Sequence, residues 1–177
     1  GLGGGSSDGT YALKMLDKIF DLNLSVKTLE TYAATLGSDC AFFVNGKAQI
    51  AKGRGEVLSP ISLNLKGLYL KIINIGLHIS TASAYDGIEF QIQNSNINEI
   101  VSSDKYDWKE TLKNDFEISV FKKHPILSEL KENLYKEGAI YAAMTGSGST
   151  MFGIYNDKPK NNTFSKYNPK FEIVLNL

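Results

Sequence analysis

Gly1-Leu2-Gly3-Gly4-Gly5-Ser6-Ser7 is the densest run of chemically suggestive residues in the chain. A polyphosphate presents closely spaced anionic oxygens, so its binder needs many N–H donors and no side chains that block approach to the backbone. Gly3, Gly4 and Gly5 supply both. Ser6 and Ser7 add hydroxyls for a phosphate oxygen or for Mg²⁺, with Ser7 the candidate metal ligand. The run matches neither Gly-x-x-x-x-Gly-Lys-Ser/Thr nor a Gly-x-Gly-x-x-Gly that follows a strand, so a different phosphate cradle is expected. Gly-Gly-Gly-Ser-Ser is equally the composition of a flexible linker. Leu2 is foreign to a linker, and a helical pattern begins without a spacer, which favours phosphate binding. Asp39 is a second candidate, because an acid directly before the apolar run Ala41-Phe42-Phe43-Val44 would stand at a strand end. On its position alone, a turn or capping role after Gly37 is the stronger reading. Thr145-Gly146-Ser147-Gly148-Ser149 is a second glycine-rich segment, whose plain reading is a hairpin loop. His78 and His124 receive no role.

Helices and strands must position these residues. Tyr11, Ala12, Met15, Leu16, Ile19 and Phe20 recur at three- and four-residue spacing and predict a packed helix, with Ser7 or Asp8 as its cap. Val26, Leu29, Ala33 and Leu36 predict a second, with Gly37 as a left-handed stop. Ala41 to Val44, Asn45-Gly46 and Ala48 to Ala51 predict a hairpin around a type I′ turn, and Gly53-Arg54-Gly55 breaks the second strand. The polar stretch from Ser59 to Gly67, which holds Pro60, precedes the apolar run Leu68 to Ile75, and divides the chain into 1–66 and 67–177.

In the second part, Leu68 to Ile75 predicts a strand, and Ser80 or Thr81 caps a short helix over Ala82 to Tyr85. Glu89 to Asp104, rich in Asn and Ser, predicts a loop. Trp108, Leu112, Phe116 and Val120 predict one helix, and Pro125, Leu127, Leu130 and Leu134 another that ends at Gly138. Ala139 to Met144, Met151 to Tyr155 and Phe171 to Leu175 predict strands, with a flexible loop over Asp157 to Pro169. Helices and strands without a parallel βαβ repeat make the fold class α+β.

The 19 basic residues balance the 19 acidic ones, so no global field recruits nucleic acid or an anionic membrane, and a small molecule is the expected partner. Cys40 is the single cysteine and cannot form an internal disulfide, which fits a cytoplasmic location. No apolar run approaches the roughly 20 residues that span a bilayer. The chain opens on Gly1 rather than Met, so preceding residues are expected to be missing.

Four segments in order, Gly1 to Asp8, Leu36 to Phe43, Ile79-Ser80-Thr81 with Tyr85, and Met144 to Ser149, resemble the GHMP kinase superfamily, as does Asn114-Asp115-Phe116-Glu117. The likeness runs nearly end to end. It implies a two-lobed α+β fold: the rest of an incomplete N-terminal ATP lobe, then a ferredoxin-like C-terminal lobe. It implies transfer of the γ-phosphate of ATP, with Mg²⁺, to the 2-hydroxyl of a cytidine diphosphate derivative of methylerythritol, a step in isoprenoid precursor biosynthesis. Asp39 then takes the catalytic position. Gly1, Leu2, Gly3, Gly4, Gly5, Ser6 and Ser7 hold ATP. Thr81, Tyr85, Gly146, Ser147 and Gly148 face the substrate, with Tyr85 stacking on cytosine. Cys40-Ala41 replaces the family's usual Val-Pro. The family's catalytic lysine lies N-terminal to the glycine loop, so the chain by itself is expected to be inactive or nearly so. A homoserine or mevalonate kinase, or a non-catalytic binding module, are the competing readings.

Overall fold

A computed structural model describes residues 1–86 and 96–177. The chain divides into two compact units, one of Gly3–Leu63, here the glycine unit, and one of Gly1–Leu2 with Asn64–Leu177, here the sheet unit.

The glycine unit holds helices α1 (Gly4–Ile19), α2 (Val26–Leu36) and α3 (Phe42–Asn45), then strands β1 (Gln49–Lys52) and β2 (Val57–Pro60). Helix α1 starts earlier than its sequence suggests: Gly3 is the N-cap, in the left-handed region at φ 65°, and Ser7 and Asp8 already lie inside the helix. Its apolar stripe is exposed rather than packed, and Thr10 is its one buried residue. In α2, Ser25 caps the N-terminus by accepting from the Thr28 N–H, and Leu29 and Ala33 face the core. Gly37 is extended, at φ 175°, and not a left-handed stop.

The expected hairpin at Asn45-Gly46 is absent. Phe42 to Asn45 form one helical turn that Gly46 terminates at φ 61°, and β1 pairs instead with β2 across Gly53-Arg54-Gly55-Glu56. A four-residue apolar run has no periodicity that separates strand from helix, and Asn-Gly serves a helix stop as readily as a type I′ turn. Asp39 therefore precedes a helical turn, not a strand. The core here is small: Leu29, Ala33, Cys40, Ala41 and Val44.

The sheet unit holds β3 (Tyr69–Asn74), α4 (Thr81–Tyr85), α5 (Ile97–Ser102), α6 (Trp108–Thr111), α7 (Phe116–Lys123), α8 (Pro125–Lys136), β4 (Tyr141–Met144), β5 (Met151–Tyr155) and β6 (Phe171–Asn176). The strands form one antiparallel sheet in the order β4-β5-β3-β6. Reading from β6, the first strand of the unit lies between the fourth and the third, which is the ferredoxin-like order. Only a 3-10 turn at Ser165–Tyr167 stands where that fold usually has its second helix. Helix α8 has Pro125 in its first turn, and Leu127, Leu130 and Leu134 are fully buried against β4 and β5.

Three expectations need correction here. The helix foreseen from Trp108 to Val120 is two helices, broken at residues 112–115. The loop foreseen over 89–104 contains α5, capped by Asn96, while 87–95 lie outside the described residues. The tract 157–169, expected as a flexible loop, is a mostly exposed loop pinned to the core. Phe164 is buried in the core, and fully buried Lys71 of β3 reaches up to it. The Lys71 ammonium donates to both Glu137 oxygens, to the Lys160 carbonyl and to the Thr163 hydroxyl at 2.7–2.8 Å, and lies 3.2 Å from Glu172.

Candidate active site

Gly4 and Gly5 open α1 with nothing within 4 Å of where a side chain would project. The N–H groups of Gly4, Gly5 and Ser6 have no intrahelical acceptor, because the first i→i−4 bond runs from the Ser7 N–H to the Gly3 carbonyl at 2.9 Å. No acidic residue lies in the first turn to repel an anion. Gly3 must be glycine, since a Cβ there would lie 2.9 Å from the Phe43 ring in addition to the cost of its positive φ.

The same unit carries Asp39, and buried Thr10 links its segment to α1. The Thr10 hydroxyl is 2.6 Å from the Cys40 carbonyl and 2.9 Å from the Ser6 carbonyl. Lys14 donates to the Val44 carbonyl at the end of α3, 3.0 Å away. Helix α1 is thereby fastened on both sides of the Asp39–α3 segment. Asp39 itself is exposed, and the β1–β2 turn crowds it: a Cβ on Gly55 would fall 2.9 Å from the Asp39 Oδ1. Thr10 carried no signal in the sequence, and Gly55 stood out only as part of a strand break.

In the sheet unit, Thr145 to Ser149 join β4 to β5, closed by the Thr145 N–H to the Thr150 carbonyl and the Gly148 N–H to the Thr145 carbonyl, both 2.9 Å. Gly148 has φ 91°, and a Cβ there would collide with the Met144 sulfur at 2.6 Å. Gly1 packs on this loop so closely that a Cβ would lie 2.7 Å from the Gly148 carbonyl oxygen, and Thr145 Oγ1 donates to the Gly1 carbonyl at 2.6 Å. Thr81 and Tyr85 sit on α4, whose N-cap is Ser80 rather than Thr81, and both side chains are exposed. One edge contact, 4.9 Å between ring centroids at 87°, packs Tyr85 on Phe116.

The break at 112–115 explains Asn114-Asp115-Phe116-Glu117. Asn114 donates to the Met144 and Gly146 carbonyls at 2.8 and 2.9 Å, and Glu117 accepts from the Met144 N–H at 2.7 Å. Tyr141 holds the Leu112 carbonyl at 3.1 Å; burial, with the Glu117 carboxylate nearby, pushes its phenol up and keeps it a donor. Sequence patterning passed over Asn114 and Glu117 as site-shaping residues, although the four-residue segment itself was visible. Among the described residues, no three His, Cys, Asp or Glu side chains gather into a metal cage. Nor is any described helix long and apolar enough to cross a membrane.

Two family models match the chain: the GHMP kinases N terminal domain over residues 1–47 and the GHMP kinases C terminal domain over 96–171. The chain belongs to the GHMP kinases, a family of phosphotransferases with mixed helix and sheet. Within it, the chain is 48% identical over 155 residues to the 4-diphosphocytidyl-2-C-methyl-D-erythritol kinase of Bacteroides thetaiotaomicron, covering 88% of this chain and 57% of that one. A crystal structure of 4-(cytidine 5'-diphospho)-2C-methyl-D-erythritol kinase superposes with a TM-score of 0.71 at 28% identity, over 85% of this chain and 55% of that one. Homoserine kinase from Cytophaga hutchinsonii shares the fold at a TM-score of 0.64, over 90% of this chain and 60% of that one, but at 16% identity shows no more than the fold. The chain thus spans less than two thirds of the length of the curated relatives it matches.

Proposed function

We propose that this chain carries the phosphate-holding and substrate-facing parts of a kinase that phosphorylates the 2-hydroxyl of 4-diphosphocytidyl-2-C-methyl-D-erythritol from ATP, in the cytoplasmic synthesis of isoprenoid precursors. The observation that carries this reading is the open, glycine-lined N-terminus of α1, fastened through Thr10 to the segment bearing Asp39. Three unsatisfied N–H groups and the positive end of a 16-residue helix suit a polyphosphate. The relatives' shared name supplies the substrate. Residues 1–66 belong to the ATP lobe in this reading and 67–177 to the second lobe.

ATP would supply the phosphoryl group, and Ser7 is the residue that would help hold a Mg²⁺ to screen its charge. The chain's own residues do the rest. The N–H groups of Gly4, Gly5 and Ser6 hold phosphate oxygens. Asp39 accepts the proton of a tertiary hydroxyl, which is a poor nucleophile until that proton leaves. Tyr85 offers its ring to the cytosine, and the Gly146-Ser147-Gly148 backbone faces the substrate's phosphates.

The test uses the longest reading frame that contains this chain, assayed for ADP release with 4-diphosphocytidyl-2-C-methyl-D-erythritol, homoserine and mevalonate in turn. Turnover on the first alone is the expected result; equal turnover on homoserine or mevalonate would overturn the assignment. Asp39→Asn should lower turnover by about 100-fold or more. An unchanged rate removes Asp39 from the chemistry.

A further inference from the structure

Asn114 makes three hydrogen bonds at once. Both hydrogens of its amide are committed, one to the Met144 carbonyl at 2.8 Å and one to the Gly146 carbonyl at 2.9 Å, while its Oδ1 accepts the Phe116 N–H at 3.0 Å. Two carbonyl acceptors on one side and an N–H donor on the other leave a single sensible orientation for the amide. The side chain therefore joins the start of α7 to the end of β4 and to the loop beyond it.

The consequence for the loop follows from peptide geometry. The Gly146–Ser147 peptide is trans, so its C=O and N–H point in opposite directions. With the Gly146 carbonyl turned in toward Asn114, the Ser147 N–H is turned away from it. Among the described residues nothing accepts from that N–H. Glu117, one turn further along α7, fixes the same strand end by accepting from the Met144 N–H at 2.7 Å, and Lys131 in turn pairs with Glu117. Thr145 is tied to Gly1 on the loop's other side. The loop is thus held at residues 144, 145 and 146, and its next N–H is left outward.

We infer that Asn114 is a positioning residue: by drawing in the Met144 and Gly146 carbonyls it aims the Ser147 N–H outward as a donor for an anionic oxygen, a phosphate in the kinase reading on which its catalytic consequence rests. The same segment sets α4, because Phe116 packs on Tyr85 and the Ser119 hydroxyl reaches the Ala84 carbonyl at 3.4 Å. One break between two helices thereby governs both substrate-facing elements of the sheet unit. Asn is suited to such a break, since its amide competes with helical backbone hydrogen bonds.

Asn114→Asp separates positioning from plain capping. Aspartate keeps the acceptor for the Phe116 N–H, and so preserves any capping role, but has no hydrogens for the two carbonyls and sets a negative charge against them. Two readouts are used on Asn114→Asp and Asn114→Ala, with Ile154→Val in β5 as a remote core control. In the ¹⁵N-labelled chain, amide resonances of residues 145–149 should move in both Asn114 variants and stay in the control. In the kinase assay, kcat/KM should fall roughly tenfold or more in both variants, the scale of a small misplacement of a reacting group. Loop resonances of Asn114→Asp that coincide with the parent's, or wild-type kcat/KM in Asn114→Asp beside a loss in Asn114→Ala, would reduce Asn114 to a helix cap and overturn the inference. If the parent protein transfers phosphate to none of the alcohols tested, the kinase reading fails, and the resonances alone decide the role of Asn114.

Discussion

The two units spend similar residues to different effect. The sheet unit closes a core in which Ile73, Leu127, Leu130, Leu134 and Met151 are completely buried. The glycine unit encloses only six buried apolar residues, three of them Ala or Cys, while Tyr11, Met15, Ile19 and Phe20 of or next to α1 are each more than half exposed. Burial of apolar surface is the dominant stabilising term, at about 25 cal/mol per Å². The sheet unit should therefore hold itself together, whereas the glycine unit relies on polar fasteners such as Thr10 and Lys14. Stability in this chain resides mainly in the sheet unit, while the helix terminus that suits a polyphosphate lies in the weaker one.

The most severe test of that contrast is Lys71→Met. Lys71 is fully buried and Glu172 nearly so, and removing the cation strands two carboxylates, at a cost of about 3–5 kcal/mol. Urea unfolding followed by fluorescence of Trp108, the single tryptophan and a buried sheet-unit residue, measures it. A cost under about 1 kcal/mol would mean the network is not holding the 157–169 tract.

Next in size is a matched pair. Leu130→Ala should cost about 2–5 kcal/mol, and Leu29→Ala distinctly less, because the smaller core around Leu29 has less packing to lose. Amide hydrogen exchange gives the same comparison without substitution, with α8 and β5 protected longest and α1 and α2 shortest. Equal protection would erase the contrast.

A smaller effect appears at alkaline pH. Burial, with the Glu137 carboxylate 3.0 Å away, holds the Tyr155 phenol protonated well above its ordinary value of about 10. Above that value the unfolded chain loses this proton before the folded one does. The contribution is full below about pH 10 and declines as pH rises further. Tyr155→Phe should flatten that decline; an unchanged slope would assign the alkaline loss to other groups.

The smallest expected change is at Ile19→Ser or Phe20→Ser, within about 0.5 kcal/mol, as for other exposed positions. A loss above about 1 kcal/mol in thermal unfolding would show that this apolar face is covered in solution.

Much of the candidate site was legible because its determinants are local. Gly3 to Gly5 before a helical pattern announced the open N-terminus of a helix, and Thr145 to Ser149 between two apolar runs announced a loop joining paired strands. The failures share a cause. Ala41 to Val44 is too short for periodicity to decide between helix and strand. Trp108, Leu112, Phe116 and Val120 keep helical spacing across a break, because spacing records which residues face the core and not whether the backbone between them is continuous.

What the sequence determined by itself is therefore the short-range part: the α8 stripe with Pro125 in its first turn and Gly138 at its stop, the β4–β5 pair, and the glycines that open α1. Windows of a few residues carry the periodicity and turn chemistry that specify these. Only the tertiary structure decided that Asn114 leaves its helix to hold a loop 30 residues away, and that a lysine inside a strand is buried against a carboxylate 66 residues away. Such partners depend on which distant segments the sheet brings together. A charged or amide side chain is stable there only once those partners have closed around it.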